Sequence, residues 1–305
     1  MQDELLPLML ASMHFLTFKE KNILLEKLDN SADLALLSID DISVEIGRVV
    51  RSRSWNGNVY LRRAEQAAYL LDVFQIGRMM FGDSKYPALV KEIFDPPFML
   101  FYRGSLSAFG NPCVSIVGTR KPSVDAAKCA FDFAKQVAAA KETVVSGLAF
   151  GIDACAHRGA VSAKGKSIGV LPCGVDSVFP CSNRRIAEAM LENDGCLLSE
   201  YLPGVPSEKF RFPQRNRIIA ALSPVTVVVE APPKSGALIT ADFALEQGRD
   251  VYLHGVAFNV PEERCGVSAL RMDGAPVISS YEEYVKCRTS APETVCCKLD
   301  KQLNF

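Results

Sequence analysis

Residues 210–222, FRFPQRNRIIAAL, set three arginines, Arg211, Arg215 and Arg217, within seven positions beside Phe212 and Asn216, and then turn apolar. A guanidinium group is a planar fork of N–H donors that matches carboxylates and phosphates, so this segment is a candidate anion-binding element. Four other segments carry related chemistry: GTRKPS (118–123) with Arg120 and Lys121, SGLAFGIDACAH (146–157), PCGVDSVFPCSNRR (172–185) and EAPPKSGALITA (230–241). The second bares backbone at Gly147 and Gly151, the third ends in Asn183, Arg184 and Arg185, and the fourth opens a helix at Ser235 and Gly236. Free amides at helix starts attract phosphate, and glycine lets it approach closely.

Catalytic groupings are thin. Asp153 and His157 stand four apart on one helical face and read as a structural pair that fixes their loop. His14 and His254 have no evident partners, and Cys173 and Cys181 flank a Gly-Asp turn with no neighbouring base. Glu200 and Glu230 end two strands; they are either paired acids or charge partners for Arg215 or Arg217. No acid–base assignment follows, and with three histidines and no CxxC pair no metal site or cofactor is expected. GAVSAKGKS (159–167) imitates a phosphate-binding loop, but it has one residue too many between its glycines and precedes a strand. The dinucleotide pattern GxGxxG is also missing after the first strand.

The elements that must carry these loops are legible from periodicity. Apolar β-branched runs at 113–118, 143–147, 167–172, 196–200, 225–231, 250–255 and 276–279 predict strands. Helix-compatible stretches at 123–140, 152–163, 183–193, 216–222 and 236–248 separate the first six. That alternation predicts an α/β fold, a Rossmann-like doubly wound and mostly parallel sheet covered on both faces. Each candidate loop then falls at a strand's carboxyl end, where such sheets bind ligands. Residues 1–81, leucine-rich at spacings of three and four, predict a small all-helical domain with caps at Ser31 and Asp40–Asp41. Prolines at 87, 96 and 97 mark the joint, giving a second domain over 82–286 and a flexible tail over 287–305.

The whole chain is nearly neutral, with 34 Lys+Arg against 35 Asp+Glu, so any polyanion must meet locally concentrated charge. Its 49% apolar content excludes wholesale disorder. No apolar run approaches a membrane span, the acidic start MQDELLPLML lacks a signal sequence's basic region, and the ten cysteines read as reduced. The expectation is a cytoplasmic protein.

In their order, IVGTRKPS, VVSGLAFGIDACAHRGAV, IGVLPCGVDSVFPCSNRRI, LLSEYLPGVPSEKFRFPQRNRIIAALSPVTVVVEAPPKSGALITADFALEQGRDVY and CGVSALRMDGAPVI resemble the DprA/Smf family, over roughly residues 82–280. That resemblance implies a non-enzymatic protein that binds single-stranded DNA without marked sequence preference, protects it and helps load RecA, as in natural transformation. It implies a homodimer, and an N-terminal region like the family's SAM-like or helix-hairpin-helix-like domain. It also implies phosphate contacts from Arg120 and from Asn183, Arg184 and Arg185, with close backbone approach at Ser146, Gly147 and Gly151. Arg211, Arg215, Asn216 and Arg217 would line the same groove, with Phe179 or Phe212 stacking on bases. The chain departs from the family pattern at Cys181, where a basic residue is usual, and at HGV (254–256). About 25 residues follow Ser280, too few for the winged-helix domain of many members.

The alternative is a phosphoribohydrolase-like nucleotide-processing enzyme, whose PGGxGT loop leads to a glutamate. Here PPKSGALITADFALE places Glu246 nine residues beyond Ala237. A purely structural oligomer would leave the clustered arginines without a purpose.

Overall fold

The computed structural model describes residues 3–52 and 55–290. The chain opens with five helices: α1 (Leu5–Ser12), α2 (Phe18–Lys27), α3 (Ser31–Leu36), α4 (Ile39–Ile46) and α5 (Gly57–Val73). Their starts are set by side chains that accept the orphan amides of a first turn. Thr17 and Ser38 each close a reciprocal capping box, with Glu20 and Asp41, and Asn30 caps α3. Ser31 is therefore the first helical residue rather than the cap, and Asp41 the cap's partner.

A nine-stranded sheet follows, in the order β1-β2-β6-β5-β4-β3-β7-β8-β9. The strands are β1 (Gly77–Met80), β2 (Met99–Gly104), β3 (Cys113–Val117), β4 (Thr143–Ser146), β5 (Ser167–Val170), β6 (Cys196–Ser199), β7 (Val225–Val228), β8 (Asp250–His254) and β9 (Val277–Ile278). β3 to β9 match the seven predicted runs and pair in parallel. β1 and β2 extend the sheet antiparallel beyond β6, and neither is expected from the sequence. β1 lies inside the stretch expected to be wholly helical. Its sequence, GRMM, holds no β-branched residue, so nothing in its composition announces a strand.

The interleaved helices are α6 (Ala88–Lys91), α7 (Val124–Ala139), α8 (Ile152–Ser162), α9 (Arg184–Glu192), α10 (Arg211–Ala221), α11 (Gly236–Glu246), α12 (Ser268–Met272) and α13 (Tyr281–Ser290). Alternate residues of each strand feed opposite layers, as period-two side chains must. Val114, Ile116, Val144, Val227 and Tyr252 pack with α7, α8 and α13. Cys113, Val117, Val145, Ile168 and Leu198 pack with α10 and α11 on the other face. A third cluster runs from Leu8, Leu24, Leu34 and Ala64 of the N-terminal helices into Phe101, Leu171, Met190 and Leu197. The helical region thus shares a continuous core with the sheet.

Residues 287–290 of the expected tail belong to α13, which Glu142 fastens through Tyr281, Tyr284 and Arg288. The remainder, 291–305, lies outside the described residues. Cys113, Cys173 and Cys196 are buried, whereas Cys181 is exposed. Among the described residues, no helix is long and apolar enough to cross a membrane.

Candidate functional site

From β3 the chain winds through β4 and β5 to β6 on one side, then returns beside β3 as β7 and winds the other way. The order reverses between β3 and β7, where two loops diverge and leave a crevice. A cavity of about 790 Å³ opens there, between the Gly118–Lys121 loop, the Ser235–Ala237 turn and one face of α10. The segment 159–167, by contrast, runs from the last turn of α8 into the amino end of β5, away from the crevice.

Exposed cations ring this cavity. Arg120 and Lys121 are exposed, and the Arg120 guanidinium lies 5.0 Å from the Phe212 ring centre. Phe212 in turn meets Phe179 edge-on at 5.6 Å. Lys209 and Arg264 also line the cavity and are exposed. Neither stood out in the sequence. Lys209 sits one residue before the quoted arginine segment, and Arg264 follows Glu262 and Glu263, which hide it in any charge count along the chain. Phe150 and Phe179, 50% and 42% exposed, add free aromatic faces near these loops.

The arginines that drew attention are mostly spent internally. Arg215 is buried, with Nη1 donating to the carbonyls of Gly147 (2.6 Å) and Val170. A β-carbon at position 147 would overlap that guanidinium, so Gly147 makes room for an arginine rather than for a phosphate. Burial pulls Arg215 down to about 10, against the attraction of Asp153. Asp153 is buried too and accepts the Gly147 and Ala149 amides at 3.1 and 3.4 Å. Burial raises its pKa, opposed by Arg215 and those amides. Arg217 clasps Glu200 with two hydrogen bonds, 2.7 and 3.0 Å, which realises one of the two pairings left open by the sequence. Among the described residues Glu230 pairs with no arginine; it accepts the Ser123 hydroxyl (2.6 Å) and amide (3.1 Å) at the start of α7. Arg211 bonds Glu208 and the Pro206 carbonyl and lies over Tyr201.

The remaining predicted residues divide in the same way. Asn183 is buried and donates to the Leu148 and Ala149 carbonyls, and Ser146 donates to the Ile116 carbonyl. Asn216 donates to the Gly236 carbonyl from the cavity wall. Gly151 has φ +78 and sits against the Thr119 carbonyl, where any side chain would collide. Arg184 is exposed, pairs with Glu188 and faces a separate cavity of about 440 Å³; Arg185 is exposed. Ser235 heads α11 with its hydroxyl oxygen buried and unpartnered, and Gly236 is exposed at the first helical position. His157 does not bond Asp153 as expected. Its Nδ1 meets Ser167 Oγ at 2.6 Å, and that hydroxyl gives its own hydrogen to the Val144 carbonyl. His157 Nδ1 therefore carries the proton, and Nε2 is bare and without a partner among the described residues. Burial drops its pKa to about 3.

The arginine segment also differs in shape from its expectation. A loop was expected up to a helix starting near Asn216, but α10 starts at Arg211 and takes Pro213 into its first turn. Proline is tolerated there because first-turn amides have no partner within the helix.

The sequence profile of the family described as DNA recombination-mediator protein A matches residues 77–289, more than half of the chain. The chain belongs to this family. Among its relatives, protein Smf from Synechocystis is 41% identical over 214 residues, covering 69% of this chain and 53% of that protein. The DNA processing protein DprA of Streptococcus pneumoniae is 40% identical over 202 residues, covering 66% of this chain and 70% of that one. The chain spans from about a third to seven-tenths of the length of the curated relatives that it matches. The X-ray structure of the pneumococcal protein superposes with a TM-score of 0.72 at 33% identity, over 91% of this chain and 95% of that one. The Helicobacter pylori protein, whose structure describes a single-stranded DNA binding mode, gives 0.63 at 26% identity, over 71% and 96%. The doubly wound fold read from the sequence is therefore the fold of this DNA recombination-mediator family. The profile also starts at the first residue of β1, inside the stretch 1–81.

Proposed function

We propose that this protein binds single-stranded DNA in the β3–β7 crevice, protects it and hands it to a RecA-type recombinase, acting as a homodimer in the cytoplasm. The observation that carries the reading is the ring of exposed cations, Arg120, Lys121, Lys209 and Arg264, around a cavity edged by Phe212. Cations that track a backbone beside rings that can stack on bases suit an unpaired strand, whose bases are free to splay. The family, and the likeness to the Helicobacter protein whose structure describes a single-stranded DNA binding mode, support the same ligand class.

We read the protein as non-enzymatic because the carboxylates on the cavity wall already have structural duties. Asp153 holds the Gly147 turn, and Glu230 holds Ser123. Glu246, the acid that the nucleotide-enzyme reading needs, ends α11 at the far end from the crevice. An 11-residue helix puts it about 15 Å away.

The test is fluorescence anisotropy with a labelled oligothymidylate and its duplex counterpart at about 50 and 200 mM salt. Four neutralised phosphates on a single strand give a log–log salt slope near −3, or about 50-fold weaker binding across that range. Binding that ignores salt, or prefers duplex, refutes the reading. Release of free base from nucleoside monophosphates would favour the enzyme instead.

A further inference from the structure

Helix α10 has two working faces. Phe212, Arg215, Asn216 and Ile219 look into the crevice. Gln214 and Arg217 look away from it, into a further cavity of about 230 Å³ where the N-terminal helices meet the sheet. That junction gathers His14 and Lys21 from the helical region, Asp95 from the loop before β2, and Glu200 and Tyr201 from the end of β6. Lys21 is buried, reaches the Ala11 carbonyl and lies over Phe98. With Arg217 it sets two cations against two carboxylates, Glu200 and Asp95, the latter 3.7 Å from Arg217.

Tyr201 is the hub of this junction and is 1% exposed. His14 meets its ring edge-on at 5.5 Å, the Arg211 guanidinium lies 5.1 Å from its centre, and its hydroxyl contacts Gln214 Oε1 at 3.1 Å. Arg211 and Gln214 belong to the first turn of α10, the turn that also presents Phe212 to Arg120. A packed helix transmits displacement because its contacts have few alternative arrangements. We propose that α10 is a wall shared by the two sites and that Tyr201 is the positioning residue through which the docked helical region sets Phe212 for DNA. This rests on the crevice being the single-strand site. The helical region then governs affinity without touching the strand.

The test compares Tyr201→Phe, Tyr201→Leu and His14→Ala in the full chain, reading dissociation constants for oligothymidylate at two salt concentrations and deuterium exchange over residues 211–217. Tyr201→Phe, which keeps the ring, stays within twofold of the parent. Tyr201→Leu binds five- to tenfold more weakly at an unchanged salt slope, because stacking is lost while phosphate contacts remain. Its effect is non-additive with Phe212→Leu. His14→Ala, at an exposed position that spares the fold, weakens binding two- to threefold and quickens exchange in the first turn of α10. Unchanged affinity in both Tyr201→Leu and His14→Ala, or additive effects of Tyr201→Leu and Phe212→Leu, overturns the proposal. If the parent binds no single strand, the functional reading fails by itself, and unchanged exchange over 211–217 in His14→Ala would separately remove the coupling.

Discussion

Replacing Arg215 by methionine tests whether the crevice arginines hold DNA or hold the fold. The guanidinium is buried, satisfies the Gly147 and Val170 carbonyls and faces the buried Asp153 carboxylate. Its removal strands that carboxylate without a counter-charge, which costs about 3–5 kcal/mol. Two carbonyls losing a donor cost about 1 kcal/mol each, partly within the same sum. The expected loss is therefore about 4 kcal/mol, read from urea unfolding followed by circular dichroism. Asp153 supplies an internal check, because its pKa is already raised by burial and loses the opposing pull of Arg215. A carboxyl with a raised folded pKa favours folding below its unfolded value and loses that contribution as pH rises. The deficit of Arg215→Met should thus be larger at pH 8 than at pH 5, and adding Asp153→Asn should recover roughly half of it. The salt slope of single-strand binding should not change for whatever fraction remains folded. A variant as stable as the parent whose slope has dropped by about 0.7, one phosphate's worth, would refute the argument and return Arg215 to the DNA.

Arg120→Ala presents the opposite case: thermal stability within about 0.5 kcal/mol of the parent, as for an exposed position, but a salt slope shallower by about 0.7 in the anisotropy titration. Lys209→Ala and Arg264→Ala should behave alike, and a slope unchanged in all three would empty the cation ring of its role. Gly147→Ala forces a methyl group into the Arg215 guanidinium and should cost about 1–3 kcal/mol in the same urea assay. His157 is buried neutral with its pKa near 3, so its contribution is complete above about pH 6.5 and is lost as pH falls toward 3. Stability measured from pH 7 to 4.5 should fall by up to ~1.4 kcal/mol per unit from this group, and His157→Asn, which keeps a donor for Ser167, should remove that slope.

The parallel strands were legible because they are buried on both faces and therefore read as unbroken β-branched runs; VTVVVEA yields β7 at Val225–Val228. The antiparallel strands were not. β1, GRMM, holds no branched or aromatic residue, and β2, MLFYRG, though it has Phe101 and Tyr102, follows directly on Pro96 and Pro97, which with Pro87 read as a joint. The pairing of β1 with β2 and of β2 with β6 is a tertiary choice, made because Met79 and Leu100 bury against the α10 layer while Met99 and Phe101 bury against the N-terminal helices. The start of α10 was misplaced for a similar reason. Pro213 suggests a break by local rule, whereas the first helical turn can accept it.

At the crevice, the structure brings together loops that the sequence singled out, but the sequence could not say which way a side chain turns. Arg120 and Arg215 look equivalent as letters; one lies exposed on Phe212, the other reaches inward to two carbonyls. What separates them is whether a buried acceptor set exists within reach, and that set is assembled from residues 68 and 45 positions away in the chain. The clustered arginines therefore have two tasks. Arg215 and Arg217 fix both sides of α10, to the Gly147 turn and to Glu200, so that the helix is rigid where it borders the crevice. Under the proposed function, a wall held by buried charge would keep Phe212 in place for an arriving strand, and preorganisation of that kind lowers the cost of binding. On that proposal the nearly neutral chain presents four outward cations at the crevice, and two of these, Lys209 and Arg264, come from segments that stand out only once the fold brings them to one rim.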